Sequence, residues 1–220
     1  MIKNSIFTAI DDKTDSKKKG GRVSIALVLT LSRILLGPIF IIVYLYYQQL
    51  GISLGCLPYI LLGLAGISEL SDLFDGAIAR KMNKVTELGK LLDPMADSIF
   101  RLSVLLAFTK GFVQLPLLLV SIFFYRDTII STLRTVCALR GIALAARMSG
   151  KIKAVIQAAV CFFILLFMIP YSIGYIDITQ LQAAGFYSVL VGAVYTLFSG
   201  IEYVIANRSY ILRALGARAV

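Results

Sequence analysis

Two neighbouring stretches decide how this chain reads: Ser71-Asp72-Leu73-Phe74-Asp75-Gly76-Ala77-Ile78-Ala79-Arg80 and Gly89-Lys90-Leu91-Leu92-Asp93-Pro94-Met95-Ala96-Asp97. They gather four carboxylates in a chain of 220 residues that is 59% hydrophobic, with a mean hydropathy of +0.86. That composition is too apolar for an ordinary soluble domain, and an ionisable residue within an apolar span is costly enough to count as a functional hypothesis. Asp72 and Asp75 stand three apart and Asp93 and Asp97 four apart, so each pair shares one face of a helix. A short turn over 82–88 makes the two helices antiparallel neighbours, which brings the four carboxylates to one depth. So many close negative charges repel one another unless cations lie between them. Bound divalent metal is the simple resolution, and four carboxylates suffice for two ions. A pair of metals is a known clamp for displacement at phosphorus.

Working outward, the spacing predicts helices over 23–47, 57–81, 89–110, 115–138, 150–173 and 183–206, each long enough to cross a bilayer. The breaks carry turn chemistry: Gly51 and Gly55 before Pro58, Gly111 before Pro116, Gly141 and Gly150, then Pro170 with Gly174. The fold expected is all-α, a polytopic membrane protein of six transmembrane helices around a polar metal site facing the cytoplasm. The organisation expected is a polar basic tail at 1–22, one membrane domain at 23–207 and a basic cytoplasmic tail at 208–220.

Charge tests this layout independently. Of the 22 Lys and Arg residues, eighteen fall in the N-terminal tail, in the connections after helices 2 and 4 together with the helix ends that flank them, and at the C-terminus. The opposite side holds only Lys110, while Arg33, Arg101 and Arg126 lie within spans. The positive-inside rule then places both termini in the cytoplasm of a cell-membrane protein, a parity that six spans satisfy. Topology thus accounts for most of the net charge of +10, and no nucleic-acid partner is needed. The basic run Lys17-Lys18-Lys19-Gly20-Gly21-Arg22 precedes an apolar stretch too long for a signal peptide. It is expected to be a solvated tail that sets topology, with contact to anionic membrane lipid as the alternative.

The chain has no histidine, which removes Ser-His-Asp and Cys-His catalysis and HExxH zinc sites. Acid–base and metal chemistry fall to the 12 carboxylates, and all-oxygen donors suit Mg²⁺ or Mn²⁺. Cys56, Cys137 and Cys161 show neither metal spacing nor an even count, and are read as packing residues. Gly76 and Ala79, three apart, admit either close helix packing or the approach of a flat base or pyrophosphate to the backbone. Arg80 is suited to holding a phosphate with two parallel hydrogen bonds.

Asp72-x2-Asp75-Gly76-x2-Ala79-Arg80-x8-Gly89-x3-Asp93-x3-Asp97 resembles, without a gap, the motif of the CDP-alcohol phosphotransferases. The resemblance implies a six-helix fold, a homodimer, divalent metal on the aspartates, CDP-diacylglycerol as donor and CMP as leaving product. It makes Asp72, Asp75 and Asp93 metal ligands and gives Gly76, Ala79 and Arg80 to the nucleotide. Asp97 becomes either a ligand or the catalytic base for the acceptor hydroxyl.

The acceptor must be read elsewhere. On helix 4, Asp127, Ser131 and Arg134 form a polar stripe that should face the bundle interior. Arg126 lies deep enough to need a partner or ligand. Helix 5 opens Gly150-Lys151-Ile152-Lys153, with Gln157 one turn on. Arg126, Arg134, Lys151 and Lys153 are therefore the candidates for an acceptor phosphate, whereas Arg140 and Arg147 are explained by topology. These segments, with Thr30-Leu31-Ser32-Arg33 and Ser199-Gly200-Ile201-Glu202-Tyr203, are similar to the phosphatidylglycerophosphate synthase branch, which implies glycerol 3-phosphate as acceptor. Leu27 stands where that branch usually has asparagine, Asp127 where it usually has glutamate, and Glu69 is an additional acid near the site. An inositol phosphate, a phosphatidylglycerol or another alcohol is the alternative acceptor. A divalent-cation carrier also places acids in a membrane, but it has no need of Gly76, Ala79 and Arg80 at these spacings, and the chain shows no inverted repeat.

Overall fold

Apolar runs punctuated by glycine and proline become helices, and the computed structural model places them close to where the punctuation predicts. It describes the backbone of residues 25–82, 98–141, 144 and 147–214, and the side chains of 32–71, 98–141, 144 and 147–212. The tail at 1–22, Gly89, Asp93 and Asp97 lie outside the described residues, as do the side chains of Asp72, Asp75, Ala79 and Arg80. Among the described residues every regular element is an α-helix: α1 Ile25–Tyr46, α2 Leu57–Met82, α3 Ser98–Ala107, α4 Leu117–Leu139, α5 Met148–Ser172, α6 Ile178–Ala206 and α7 Arg208–Ala214.

One boundary differs from the sequence reading by more than a turn, and one helix passes a proline as that reading has it. Helix α6 starts at Ile178 rather than 183, because Asp177 and Gln180 form a capping box in which each side chain bonds the other's backbone N–H. Helix α5 runs through Pro170 to Ser172; a proline close to a helix end removes little of the hydrogen-bond ladder, and membrane helices tolerate it. The stop comes at Gly174, in the left-handed conformation at φ +79°. There the amide of Gly174 bonds the carbonyl of Tyr171 at 3.1 Å and that of Tyr175 bonds the carbonyl of Pro170 at 2.9 Å, a Schellman stop.

The contacts give the helix directions. A Cβ on Gly37 would come within 2.7 Å of Ser103 Oγ, and the Tyr44 hydroxyl donates to the Lys110 carbonyl at 3.1 Å while accepting the Val113 amide at 3.2 Å. Helices α1 and α3 are therefore parallel and nearly touching. Phe123 lies against Gly192, Arg126 reaches Ser199 and Arg134 reaches Tyr203, so α4 and α6 are also parallel. Helix α5 runs against them, with Ser149 bonded to Glu202 and Val160 beside Gly192. The close pairs are α5 with α6, α1 with α2, α4 with α6 and α2 with α5. Small residues at the crossings, Gly185, Gly192 and Ala193 on α6, let backbones approach in the manner of membrane bundles.

One end of the bundle is aromatic, with Phe112 stacked on Tyr171 at 5.4 Å between ring centres and Tyr44 tilted against Phe112 at 5.1 Å. Outward faces are apolar: Leu118, Val155, Val191 and Phe198 are exposed. Among the described residues α5 and α6 are each long and apolar enough to cross a membrane. An apolar exterior around a core that buries Arg33, Arg101, Asp127 and Lys153 inverts the soluble pattern and fits a membrane protein. The stretch read as a C-terminal tail begins with α7, which packs on α4 and α6 because Ile211 buries itself against Cys137, Leu133 and Leu144.

Candidate active site

Helix α2 continues unbroken from Leu57 to Met82, carrying the first half of the acidic motif as one rigid element. At 100° per residue, positions 72, 75, 76, 79 and 80 fall within an arc of about 140°. Two carboxylates, two small residues and an arginine thus share one helix face. Among the described residues no group of three or more carboxylates or thiols gathers as a metal site; the aspartate side chains are not among them. The donor set itself fits a hard divalent cation, being carboxylate oxygen in a chain without imidazole.

Beside this helix, α4, α5 and α6 bury a polar network on their shared interior. Asp127 lies on the inward stripe of α4 with Val120, Phe123 and Ile130, and Lys153 and Gln157 lie on the inward stripe of α5. Lys153 Nζ donates to both oxygens of Asp127, at 2.7 and 2.6 Å, and to Gln157. Arg126 Nη1 donates to Asp127 Oδ1 at 3.1 Å, and its Nη2 donates to Ser199 Oγ on α6 at 2.8 Å. Glycine makes room for that arginine: a Cβ on Gly200 would stand 3.1 Å from Arg126 Cγ, and one on Gly150 would stand 3.7 Å from Nη2. Two buried nitrogens of the network, Arg126 Nε and Gln157 Nε2, have no hydrogen-bond partner among the described residues. Buried donors left open in this way are the usual mark of a place for a ligand or water.

Two turns further along α4, about 12 Å by helical rise, Arg134 Nε donates to the Tyr203 hydroxyl at 3.1 Å, with its guanidinium 5.2 Å from that ring's centre. At the rim, Arg147 Nε pairs with Glu202 Oε1 at 2.6 Å, and Ser149 donates to the other oxygen of Glu202. The structure thus lines Arg126, Lys153 and Arg134 along the α4–α5–α6 interior. Lys151 is exposed, about 200° round α5 from Lys153. Arg147, read from sequence as a topological charge, has a specific partner.

Arg126, Lys153 and Asp127 together leave one net positive charge, and Arg134 adds a second. Sequence reading named Asp127, Gln157, Ser199 and Tyr203 without assigning them partners. The lateral pairing of three helices supplies those partners, and no spacing along one helix encodes it.

Comparison with known proteins gives this geometry a context. Residues 23–206 match the family model described as CDP-alcohol phosphatidyltransferase. The chain is 34% identical over 185 residues to the CDP-diacylglycerol–glycerol-3-phosphate 3-phosphatidyltransferase of Bacillus subtilis (strain 168), covering 81% of this chain and 92% of that protein. It is 29% identical over 184 residues to the protein of the same name from Rickettsia typhi, covering 83% and 96%. Against its namesake in Salmonella typhimurium it is 28% identical over 195 residues, covering 86% and 97%. The match runs from the first apolar helix to the end of α6 and takes in both the acidic helix and the buried basic network, so the chain belongs to the CDP-alcohol phosphatidyltransferase family.

Proposed function

We propose that this protein is the enzyme that transfers the phosphatidyl group of CDP-diacylglycerol to glycerol 3-phosphate, releasing CMP and giving phosphatidylglycerol phosphate. The observation that carries this reading is the pairing of two features. One is the motif helix α2; the other is a buried network with net positive charge on α4, α5 and α6. The curated relatives that share most of the chain are named for this reaction.

In this reading Asp72, Asp75, Asp93 and Asp97 would hold one or two Mg²⁺ or Mn²⁺ ions. Such ions, when bound, neutralise charge on the phosphates and on the departing oxygen. Gly76 and Ala79 leave the face of α2 open to the cytidine nucleotide, and Arg80 holds its phosphate. The acceptor phosphate is dianionic near neutral pH, and the two net positive charges of Arg126, Lys153, Asp127 and Arg134 balance it, with Lys151 at the entrance. The acceptor hydroxyl oxygen forms a bond to the phosphorus that bears diacylglycerol. The bond from that phosphorus to the CMP oxygen breaks, and Asp97 takes the hydroxyl proton. Arg126 is held by Ser199 and Asp127 before substrate arrives, so little reorganisation accompanies binding.

The same reading carries the topology: six spans in one domain at 23–207, flanked by tails at 1–22 and 208–220, with both termini in the cytoplasm and the site open on that side. The chain works as a homodimer in the cell membrane. Metal dependence tests the core of the proposal. Excess chelator should abolish CMP release by the purified protein, and Mg²⁺ or Mn²⁺ should restore it; full activity in chelator would overturn the role given to the aspartates.

A further inference from the structure

Glu69 and Arg101 stand outside every role assigned above. Glu69 lies three residues before Asp72 on unbroken α2, a rise of about 4.5 Å, and falls within the arc occupied by positions 72 to 80. Arg101 lies four residues after Asp97, in the first described turn of α3. Their contact is a fork: Arg101 Nε donates to Glu69 Oε1 at 3.0 Å and Nη2 donates to Oε2 at 3.1 Å. The arginine side chain is 10% exposed and the carboxylate 28%. Arg101 is buried, so the pair joins the helices inside the bundle rather than on the lipid face. Two parallel charge-assisted bonds fix the relative orientation of both planes as well as their distance. Apolar side chains would join α2 to α3 at less desolvation cost, and the best-attested use of a buried pair is to fix register.

We propose that Glu69 and Arg101 form a positioning clamp that locks α2 against α3, so that Asp72, three residues beyond Glu69 on α2, and Asp97, four residues before Arg101 in the sequence, are presented to a shared divalent cation. The clamp rests on the reading of those aspartates as metal ligands. Both are assigned here as positioning residues, not as metal ligands.

The test uses the full chain in detergent micelles. Mn²⁺ binding is followed by the electron paramagnetic resonance signal of the free ion, alongside the Mg²⁺ concentration that half-saturates CMP release. Outer partners that orient metal ligands are typically worth about 10–100-fold in metal affinity. Glu69→Gln and Arg101→Gln should each weaken Mn²⁺ binding about tenfold and raise half-saturating Mg²⁺ in parallel. The KM for glycerol 3-phosphate should move less than about twofold, well below that effect. The exchange variant Glu69→Arg/Arg101→Glu should recover most of the affinity, and Arg101→Lys, which keeps the charge but loses the fork, should fall between. Unchanged Mn²⁺ affinity in the single variants, whatever their thermal stability, would refute the clamp. So would weakening by Glu69→Gln alone without exchange rescue, which would make Glu69 a ligand. If the unmodified chain binds no Mn²⁺, the aspartate reading fails and the clamp with it; if it binds Mn²⁺ and the variants bind equally, the clamp alone fails.

Discussion

Replacing Asp127 with asparagine removes the anion around which the interior of α4, α5 and α6 is organised. Both oxygens of Asp127 lie within 2.7 Å of Lys153 Nζ, and one also accepts from Arg126 at 3.1 Å. The side chains of Lys153 and Asp127 are only 4% and 8% exposed, so water cannot substitute for the lost charge. Breaking a buried pair by removing one partner costs about 3–5 kcal/mol, because the other charge stays desolvated. For a chain of this length that corresponds to a fall in Tm of roughly 6–20 °C. Thermal unfolding in detergent reads it directly. Asp127→Asn/Lys153→Met removes both charges and should be more stable than Asp127→Asn alone, since replacing a whole buried pair with apolar groups is often neutral. A Tm for Asp127→Asn within about 2 °C of the parent, less than 1 kcal/mol by the same conversion, would show that the pair does not hold the interior of α4, α5 and α6 together. A double variant whose loss is the plain sum of the two single losses would show the same.

Gly200→Ala should place its Cβ 3.1 Å from Arg126 Cγ, displacing the guanidinium from Ser199; the expected result is a raised KM for glycerol 3-phosphate with the CDP-diacylglycerol KM little changed. Arg134→Ala should raise the same KM about tenfold to hundredfold, the worth of a charged hydrogen bond of roughly 1.5–3 kcal/mol, and an unchanged KM would move the acceptor site elsewhere. Asp97→Asn should lower kcat by about 10²–10⁴-fold, the usual contribution of a general base, without rescue by added metal. Asp72→Asn should instead weaken metal binding and recover in part at high Mg²⁺, and rescue of both variants alike would make Asp97 a ligand and not the base.

The helices were legible in the sequence because glycine and proline stop them for local reasons: Gly111, Gly141 and Gly174 each take positive φ where a break was expected. The start of α6 was not, because its signal is the pairing of Asp177 with Gln180 rather than a change in hydropathy. The acidic helix was legible as a motif, and α2 carries its first half without interruption. Partners across helices were not legible. Arg126 reads from sequence only as a buried charge in need of company; that its company is Ser199, 73 residues away, follows from how α4 packs on α6. Glu69 stood out as an additional acid and Arg101 as a charge within a span, but only the lateral contact of α2 with α3 joins them.

The account turns on one transfer, so the most direct measurement is the lipid that the purified protein makes. It should be incubated with CDP-diacylglycerol, Mg²⁺ and separately glycerol 3-phosphate, an inositol phosphate, phosphatidylglycerol or glycerol, and the products identified by mass spectrometry. The account predicts phosphatidylglycerol phosphate, formed with equimolar CMP and only in the presence of glycerol 3-phosphate. A phosphatidyl product formed preferentially with another of these alcohols would contradict it.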